Sequence, residues 1–472
     1  MGRRKKTIIL HNVKLTGIAD KGLCVGREET GKVVFVEDAV PGDVVDVLVT
    51  KKKNDYILGK PVLYHEYSSD RIPHFCQHFG YCGGCKWQHL SYEAQLRYKH
   101  EVVVNALQRI AKIPVGELRP IMGADPTVYY RNKMEFAFSN RRWLTEEEMA
   151  QGLDKEVNAL GFHRPGAFDK VLDINKCWLQ PDPSNAIRNE IRVIAQEQNL
   201  SCYDLKKGGG FLRNLLVRVT TLSEVMVLIS FGNESPELIK PFLTEVSRRL
   251  PQITTLMYCV NPKLNDTLYD LDMQVFTGKG YIEEVLGKVR FRIGPKSFFQ
   301  TNSRQAERLY NVVADFAALG GNENVYDLYT GLGSIALYVA HRARQVVGIE
   351  EVSAAIEDAR ENAQLNNIDN AIFYAGDVKD ILTADFAARH GAPDVLITDP
   401  PRAGMHPQVV EMLLQLACPR IVYVSCNPAT QARDLQKLSE KYDVLKVQPV
   451  DMFPHTHHIE SVALLELKKG SV

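Results

Sequence analysis

Cys426 closes an apolar run, Ile421-Val422-Tyr423-Val424-Ser425, and is followed at once by Asn427-Pro428. A thiol at the carboxyl end of a core strand, where proline stops the strand, sits at the edge where open α/β sheets present ligands. Thiolate is a strong nucleophile, and a strand end can aim it. A small buried core residue is the commoner fate of a cysteine, and Cys24, Cys202, Cys259 and Cys418 take that reading. Further on, Asp451-Met452-Phe453-Pro454-His455-Thr456-His457-His458-Ile459-Glu460 packs three histidines and a glutamate before an apolar strand, Val462–Leu465. On an extended strand His455/His457 and His458/Glu460 fall on opposite faces, so at most two ligands converge, which disfavours a metal site. Glu460 then reads as a carboxylate placed for proton abstraction.

A second grouping is Cys76-x5-Cys82-Gly83-Gly84-Cys85, with tight loops set by Gly80, Gly83 and Gly84. A ligand set of this kind needs a fourth member, and Cys177, in Asp173-Ile174-Asn175-Lys176-Cys177-Trp178, is the best candidate. Four thiolates suit either zinc or an iron–sulfur cluster. The chain has nine cysteines, an odd number, and Thr7-Ile8-Ile9-Leu10 is too short an apolar core for a signal peptide. A disulfide framework is therefore not expected, and clustered cysteines read as metal ligands or catalysts.

Several elements must position these groups. Asn324-Val325-Tyr326-Asp327-Leu328-Tyr329-Thr330-Gly331-Leu332-Gly333-Ser334 reads as a strand running into a glycine turn and a helix, whose N-terminus is electropositive. Val346-Val347-Gly348-Ile349-Glu350 places a carboxylate at the next strand tip, about 20 residues on, where a ribose diol would bond to it. Gly331-x-Gly333-x-x-Ala336 also passes as a dinucleotide fingerprint, so this motif does not separate NAD from S-adenosylmethionine. Asp377, after Ile372-Phe373-Tyr374, supplies a third-strand acid for an adenine amino group, and Asp399-Pro400-Pro401-Arg402 ends a fourth strand with a carboxylate and a rigid diproline. That diproline suits a site holding a planar base and favours methyl transfer over hydride transfer. Alternating strands and helices from about 324 onward, with helices at 335–343 and 353–365, argue for a doubly wound parallel sheet.

Upstream, residues 8–63 alternate short β-rich runs with turns such as Pro41-Gly42-Asp43, the pattern of a small barrel of about five strands. Such barrels often bind single-stranded nucleic acid. Ser91 is an N-cap candidate for a helix through Lys112, extending at most to 118, and 120–295 mixes strands and helices as an α+β domain. The division expected is residues 1–66, a small OB-like barrel; 67–295, a central α+β domain with the cysteine cluster; and 296–472, a Rossmann-like methyltransferase domain. At 472 residues, 45% hydrophobic and 24% charged, the chain is a multidomain globular protein. No apolar stretch approaches the roughly 20 residues of a membrane span, so a cytoplasmic protein, monomeric and without membrane partners, is expected. Net charge is zero, but residues 1–60 hold 12 Lys/Arg against 8 Asp/Glu, clustered at Arg3–Lys6 and Lys51–Lys53, where phosphates can be contacted.

Phe298-Phe299-Gln300-Thr301-Asn302, Asp327-Leu328-Tyr329-Thr330-Gly331, Asp399-Pro400-Pro401-Arg402, Ser425-Cys426-Asn427-Pro428 and His458-Ile459-Glu460, in this order, resemble the RNA uracil-5-methyltransferase family, and its bacterial 23S ribosomal RNA branch most closely. The N-terminal barrel resembles that family's TRAM domain, so the likeness spans nearly the whole chain. It implies that Gln300, Tyr329, Glu350 and Asp399 bind S-adenosylmethionine, beside Gly331 of the glycine turn and the third-strand acid Asp377, that Cys426 is the nucleophile and Glu460 the base. It also implies a 4Fe–4S cluster, rather than zinc, on Cys76, Cys82, Cys85 and Cys177. Tyr130-Arg131-Asn132-Lys133 and Gly161-Phe162-His163-Arg164 echo family segments and read as RNA contacts. The same reaction on the T-loop of transfer RNA is the near rival. An RNA-binding assembly factor without essential catalysis, and an NAD oxidoreductase, are rivals of other classes. The intact thiol and acids weigh against both.

Overall fold

The computed structural model describes residues 7–155 and 157–470. The Arg3–Lys6 cluster lies outside the described residues, whereas Lys51–Lys53 is exposed. Two compact units are present. One comprises Met1–Thr127, Pro400–Met405 and Tyr423–Val472; the other comprises Val128–Asp399 and His406–Val422.

In the first unit, β1 (Ile9–Ile18), β2 (Cys24–Arg27), β3 (Val33–Val36), β4 (Val44–Lys52) and β5 (Tyr56–Glu66) close into a barrel in the order β1-β2-β3-β5-β4. Alternating β-branched residues turn Val34, Val36, Val45 and Val47 into its buried interior. The ring closes through a parallel β3–β5 pair; the other ladders are antiparallel. Gly59 permits the close crossing of β5 over β4, since a Cβ there would lie 2.2 Å from Val47 Cγ1. Asp43, from the Pro41-Gly42-Asp43 turn, is buried and accepts from Arg71 Nε at 2.9 Å and Nη2 at 2.6 Å, tying the barrel to the chain that follows.

Helix α1 (Tyr92–Ala106) starts where the sequence places it, with the Ser91 hydroxyl accepting from the Ala94 N–H. It continues as a π-turn, Leu107–Ala111, and stops at left-handed Lys112. The helix does not reach 118. Pro114 forbids it, and Val115–Leu118 instead forms β6.

The second unit opens with β7 (Lys133–Ser139), α2 (Glu146–Ala150), β8 (Ala159–Arg164), β9 (Ala167–Asp173), α3 (Ser184–Glu197), β10 (Leu212–Val219), β11 (Val225–Phe231), α4 (Pro236–Arg249), β12 (Thr255–Val260) and β13 (Gln274–Thr277). The strands form one sheet, β13-β12-β11-β10-β7-β8-β9. Its core joins Ile187, Ile191 and Ile194 of α3 and Phe242 and Val246 of α4 to the strand residues, the i, i+4, i+7 spacing of a buried helix stripe. A hairpin, β14 (Ile282–Leu286) and β15 (Val289–Ile293), leads to α5 (Ser303–Ala317). Alternation follows: β16 (Asn324–Leu328), α6 (Ser334–Ala340), β17 (Gln345–Glu350), α7 (Ser353–Leu365), β18 (Ala371–Ala375), α8 (Val378–Ile381), α9 (Ala384–His390), β19 (Val395–Thr398) and α10 (Pro407–Leu416). These strands run parallel in the order β18-β17-β16-β19, so Tyr329, Glu350, Asp377 and Asp399 all lie at their carboxyl ends.

Strand β20 (Arg420–Ser425) carries the chain from the second unit back into the first, where α11 (Pro428–Leu438), β21 (Tyr442–Val450) and β22 (Glu460–Leu467) follow. There the strand order is β20-β22-β21-β6, with β21 and β22 antiparallel and β6 parallel to β21. Ala106 and Ala111, at the end of α1, pack on Ala432 of α11. Among the described residues no helix is long and apolar enough to cross a membrane.

Candidate active site

In the second unit the turn after β16 is built on Asp327. This buried carboxylate accepts from Thr330 Oγ1 at 2.5 Å and from the Ala336 N–H at 3.1 Å, holding the turn and the first turn of α6 together. Tyr329, Gly331 and Gly333 all have positive φ, at 64°, 58° and 82°. Two glycines relieve that strain, while half-buried Tyr329 carries it, as residues at ligand sites often do. Glu350, at the tip of β17, accepts from the Gly331 N–H at 3.2 Å and the Val352 N–H at 3.0 Å. A dinucleotide phosphate would need that Gly331 N–H; here a carboxylate takes it.

The electrostatics point the same way. Burial pushes Asp327 up to about 7, and Glu350 adds to the rise. Burial likewise pushes half-buried Asp399 up to about 7, with the Asp327 charge adding to it. Three neighbouring carboxylates repel a pyrophosphate and favour a cationic, donor-rich ligand. Asp327 Oδ1, buried and without a hydrogen-bond partner in the protein, points to the same kind of group. Asp377 caps α8, accepting from the Lys379 N–H and pairing with the Lys379 ammonium. Gln300 lies in the loop before α5, where Asn132 Nδ2 donates to the Gln300 carbonyl at 2.9 Å and to Ser303 Oγ at 2.9 Å. The Asn132 amide is thus tied to the loop that carries Gln300.

In the first unit, half-buried Cys426 occupies the short turn from β20 to α11. Asn427 caps α11, its Oδ1 accepting from the Ala429 N–H at 3.1 Å, and Pro428 takes the first helical position. The thiol therefore sits at the positive end of a helix. The Pro400–Met405 segment is laced to this turn. Asn427 Nδ2 and Thr430 Oγ1 both donate to the Arg402 carbonyl, at 3.0 and 3.3 Å. Buried Asp434 Oδ2 accepts from the Met405 N–H at 2.9 Å and Tyr423 OH at 2.7 Å. Glu460 is the first residue of β22, 5% exposed, and pairs with Val450 across the ladder.

The profile of the tRNA (Uracil-5-)-methyltransferase family matches residues 272–468, and that of the TRAM domain residues 11–62. An uncharacterized RNA methyltransferase of Bacteroides thetaiotaomicron is 55% identical over 440 residues, covering 92% of this chain and 97% of its own. A second uncharacterized RNA methyltransferase, from Porphyromonas gingivalis, is 50% identical, covering 96% and 99%. The crystal structure of Pyrococcus abyssi tRNA (uracil-54, C5)-methyltransferase in complex with S-adenosyl-L-homocysteine is similar at 28% identity and a TM-score of 0.73, covering 98% of this chain and 100% of that one. The chain belongs to the RNA uracil-5-methyltransferase family. Its barrel is a TRAM domain, and it is an RNA methyltransferase with that family's multidomain fold.

In this methyltransferase the Cys76–Cys85 loop is wound by tight turns, with Gly80 and Gly83 at positive φ and the Gly84 N–H directed at Cys82 Sγ at 3.5 Å. Cys76 and Cys85 are buried and Cys82 half-buried. Cys177, half-buried, is held in the other unit by Asn185, whose Oδ1 accepts from its N–H and whose Nδ2 donates to its carbonyl. None of the nine cysteines forms a disulfide. The four thiols are the right donors for a soft metal, but among the described residues no three or more His, Cys, Asp or Glu side chains are grouped to hold an ion. Cys24, Cys202, Cys259 and Cys418 are core residues, and burial pushes Cys202 and Cys418 up to about 12.

One expectation is corrected. Residues 453–457 form turns, with His455 at φ 64°, and the strand begins only at Glu460. Pro454 removes a backbone donor and thus prevents the extended strand on which the opposite-face argument rested. Asp327 and Asp434 went unassigned from sequence. The signal for Asp327 was available, an acid inside an otherwise apolar strand. Asp434 gave none, lying on α11, a helix that no motif marked.

Proposed function

We propose that the protein methylates carbon-5 of a uridine in 23S ribosomal RNA, taking the methyl group from S-adenosylmethionine. What supports this most is a strand-end thiol on a helix N-terminus in a chain that also carries an acidic cradle for a cation. In this reading the Cys426 thiolate adds to carbon-6 of uracil, giving an enolate whose carbon-5 attacks the sulfonium methyl, and S-adenosylhomocysteine leaves. Glu460 then takes the carbon-5 proton, the carbon-5–hydrogen pair becomes the ring double bond, and the carbon-6–sulfur bond breaks to return the thiolate. Carbon-6 is out of reach in a stacked helix, so the base flips out. Glu350 binds the ribose, Asp377 the adenine amino group, Gln300, Tyr329 and Gly331 line the cofactor, and Asp399 faces its charged end. The barrel (residues 1–66) and central domain (67–295) hold the RNA, residues 296–472 perform the transfer, and the protein works as a cytoplasmic monomer. Mapping 5-methyluridine in ribosomal and transfer RNA from a deletion strain tests the substrate. Loss at one 23S position supports it, and loss only at the transfer RNA T-loop replaces it with the second reading. That reading has its own support, since the similar solved structure is a tRNA (uracil-54, C5)-methyltransferase.

The raised acids carry a pH prediction. Asp327 and Asp399 ionise as pH rises through about 7, and only the ionised forms attract the sulfonium. S-adenosylmethionine affinity is therefore expected to tighten by about tenfold from pH 6 to pH 8. Calorimetric titration across that range checks it, and Asp399→Asn should flatten the curve. A flat wild-type profile removes these acids from the site.

Cys76, Cys82, Cys85 and Cys177 are proposed to hold a 4Fe–4S cluster with a structural or RNA-positioning role, because the methyl transfer requires no electron. Protein purified anaerobically is expected to contain about four irons and four acid-labile sulfides per chain, and Cys82→Ser to lose them. Zinc in their place would correct the assignment.

A further inference from the structure

The polar face of α1 has no role in the chemistry above, yet Gln95 and Lys99 are buried and Tyr92 half-buried. Tyr92, Gln95 and Lys99 stand at i, i+3 and i+7, along one side of the helix. All three reach the turn between β21 and β22, the segment that delivers Glu460. Lys99 Nζ donates to Asp451 Oδ1 at 2.6 Å and to the Phe453 carbonyl at 3.1 Å, with both charged side chains essentially sealed from solvent. Tyr92 OH donates to Asp451 Oδ2 at 2.9 Å and itself accepts from the Ala124 N–H. Gln95 Oε1 accepts from the His455 N–H at 2.8 Å, while its Nε2 donates to the Trp87 and Leu90 carbonyls. The His455 carbonyl accepts from the Lys86 and Trp87 N–H groups, directly after the cysteine loop.

A buried ion pair is a poor way to gain stability, because desolvation opposes the attraction. It is a good way to specify one geometry, since Lys99 and Asp451 satisfy each other only in this arrangement. The geometry specified is that of the residue beside the base. Asp451 follows Val450, the cross-strand partner of Glu460, and its N–H donates to the Met122 carbonyl.

We propose that Lys99, Gln95 and Tyr92 are positioning residues for the Glu460 carboxylate, acting through the Asp451–His458 turn. The inference rests on Glu460 being the base. It locates the effect in one step: transfer of the carbon-5 proton to Glu460 with release of the Cys426 thiolate. Addition of the thiolate and binding of S-adenosylmethionine do not pass through this turn.

The test is single-turnover kinetics of the full-length protein with a 23S ribosomal RNA transcript. It follows appearance and decay of the denaturant-stable methylated adduct, with cofactor affinity measured by calorimetry. Lys99→Met is expected to slow adduct decay by about tenfold, and the gentler Tyr92→Phe by about threefold, with adduct formation and cofactor affinity within about twofold of wild type. Should Lys99→Met fail to fold, as judged by its melting curve, Tyr92→Phe decides alone. Equal slowing of formation and decay would show a merely structural role and overturn the inference, as would unchanged decay in a folded variant. Glu460→Gln is run alongside. If it accumulates adduct and the α1 variants do not, only this inference fails. If it accumulates none, the assignment of the base fails and takes the inference with it.

Discussion

Replacing Cys426 with alanine is expected to abolish covalent capture of RNA containing 5-fluorouridine and to lower methylation by about 10⁴-fold or more, the scale on which nucleophiles matter. Fluorine at carbon-5 cannot leave as a proton does, so an enzyme that adds sulfur to carbon-6 is trapped after methyl transfer. The substitution removes one sulfur from a turn whose geometry is set by its neighbours. Asn427 caps α11, Ser425 Oγ accepts from the Asn427 N–H, and Asn427 and Thr430 hold the Arg402 carbonyl, none of them through the thiol. Folding should therefore persist, and unchanged cofactor affinity would show it. The core residue Cys418 is the contrast. Its alanine variant should lower thermal stability and leave trapping intact. A denaturing gel of protein mixed with the fluorinated RNA gives the answer, and a full-strength shifted band from Cys426→Ala would end the proposed mechanism.

Glu460→Gln is expected to do something different. The amide keeps the shape of a carboxylate buried at the start of β22, exchanging one acceptor oxygen for a donor nitrogen, so the strand and its backbone pairing with Val450 should survive. It cannot accept the carbon-5 proton. Adduct formation and methyl transfer should proceed near the wild-type rate, while release of product falls by about 10²- to 10⁴-fold, the range for removing a general base. Methylated RNA would then stay attached to Cys426, visible by mass spectrometry without any fluorinated analogue. The double variant with Cys426→Ala should show no adduct, confirming the linkage site. Full turnover by Glu460→Gln would transfer the role of base elsewhere.

The parts of this protein legible in sequence are those where local chemistry and tertiary structure agree. Helix Ser353–Leu365 matches the sequence reading to the residue, because its periodicity ends at sharp signals, and the fourth parallel strand ends just before Asp399 as expected. The five-stranded barrel was legible from its turns. Helix α1 was legible at its start, where Ser91 caps it, and at its stop at Lys112; only the outer bound of 118 overruns Pro114. At the site, the strand-end residues announce themselves by position. The groups that hold them do not. Asn132 lies more than 160 residues from Gln300, too far for a local pattern to connect them. Asp434 and Lys99 are polar residues on buried helix faces, where an apolar pattern cannot see them. The turn at 453–457 departs from the extended strand expected there, because Pro454 cannot supply a ladder donor.

The grip of α1 on the Asp451–His458 turn has a consequence for how the molecule comes together in time. Lys99 waits for a partner 352 residues along the chain, Tyr92 for one 359 away and Gln95 for one 360 away. Contacts of such separation form late, since so much chain must be ordered first. Until then α1 exposes a lysine, a glutamine and a tyrosine where most helices would expose leucines. A polar face tolerates that wait in water, so the half-folded chain carries less sticky surface during the interval when aggregation competes with folding.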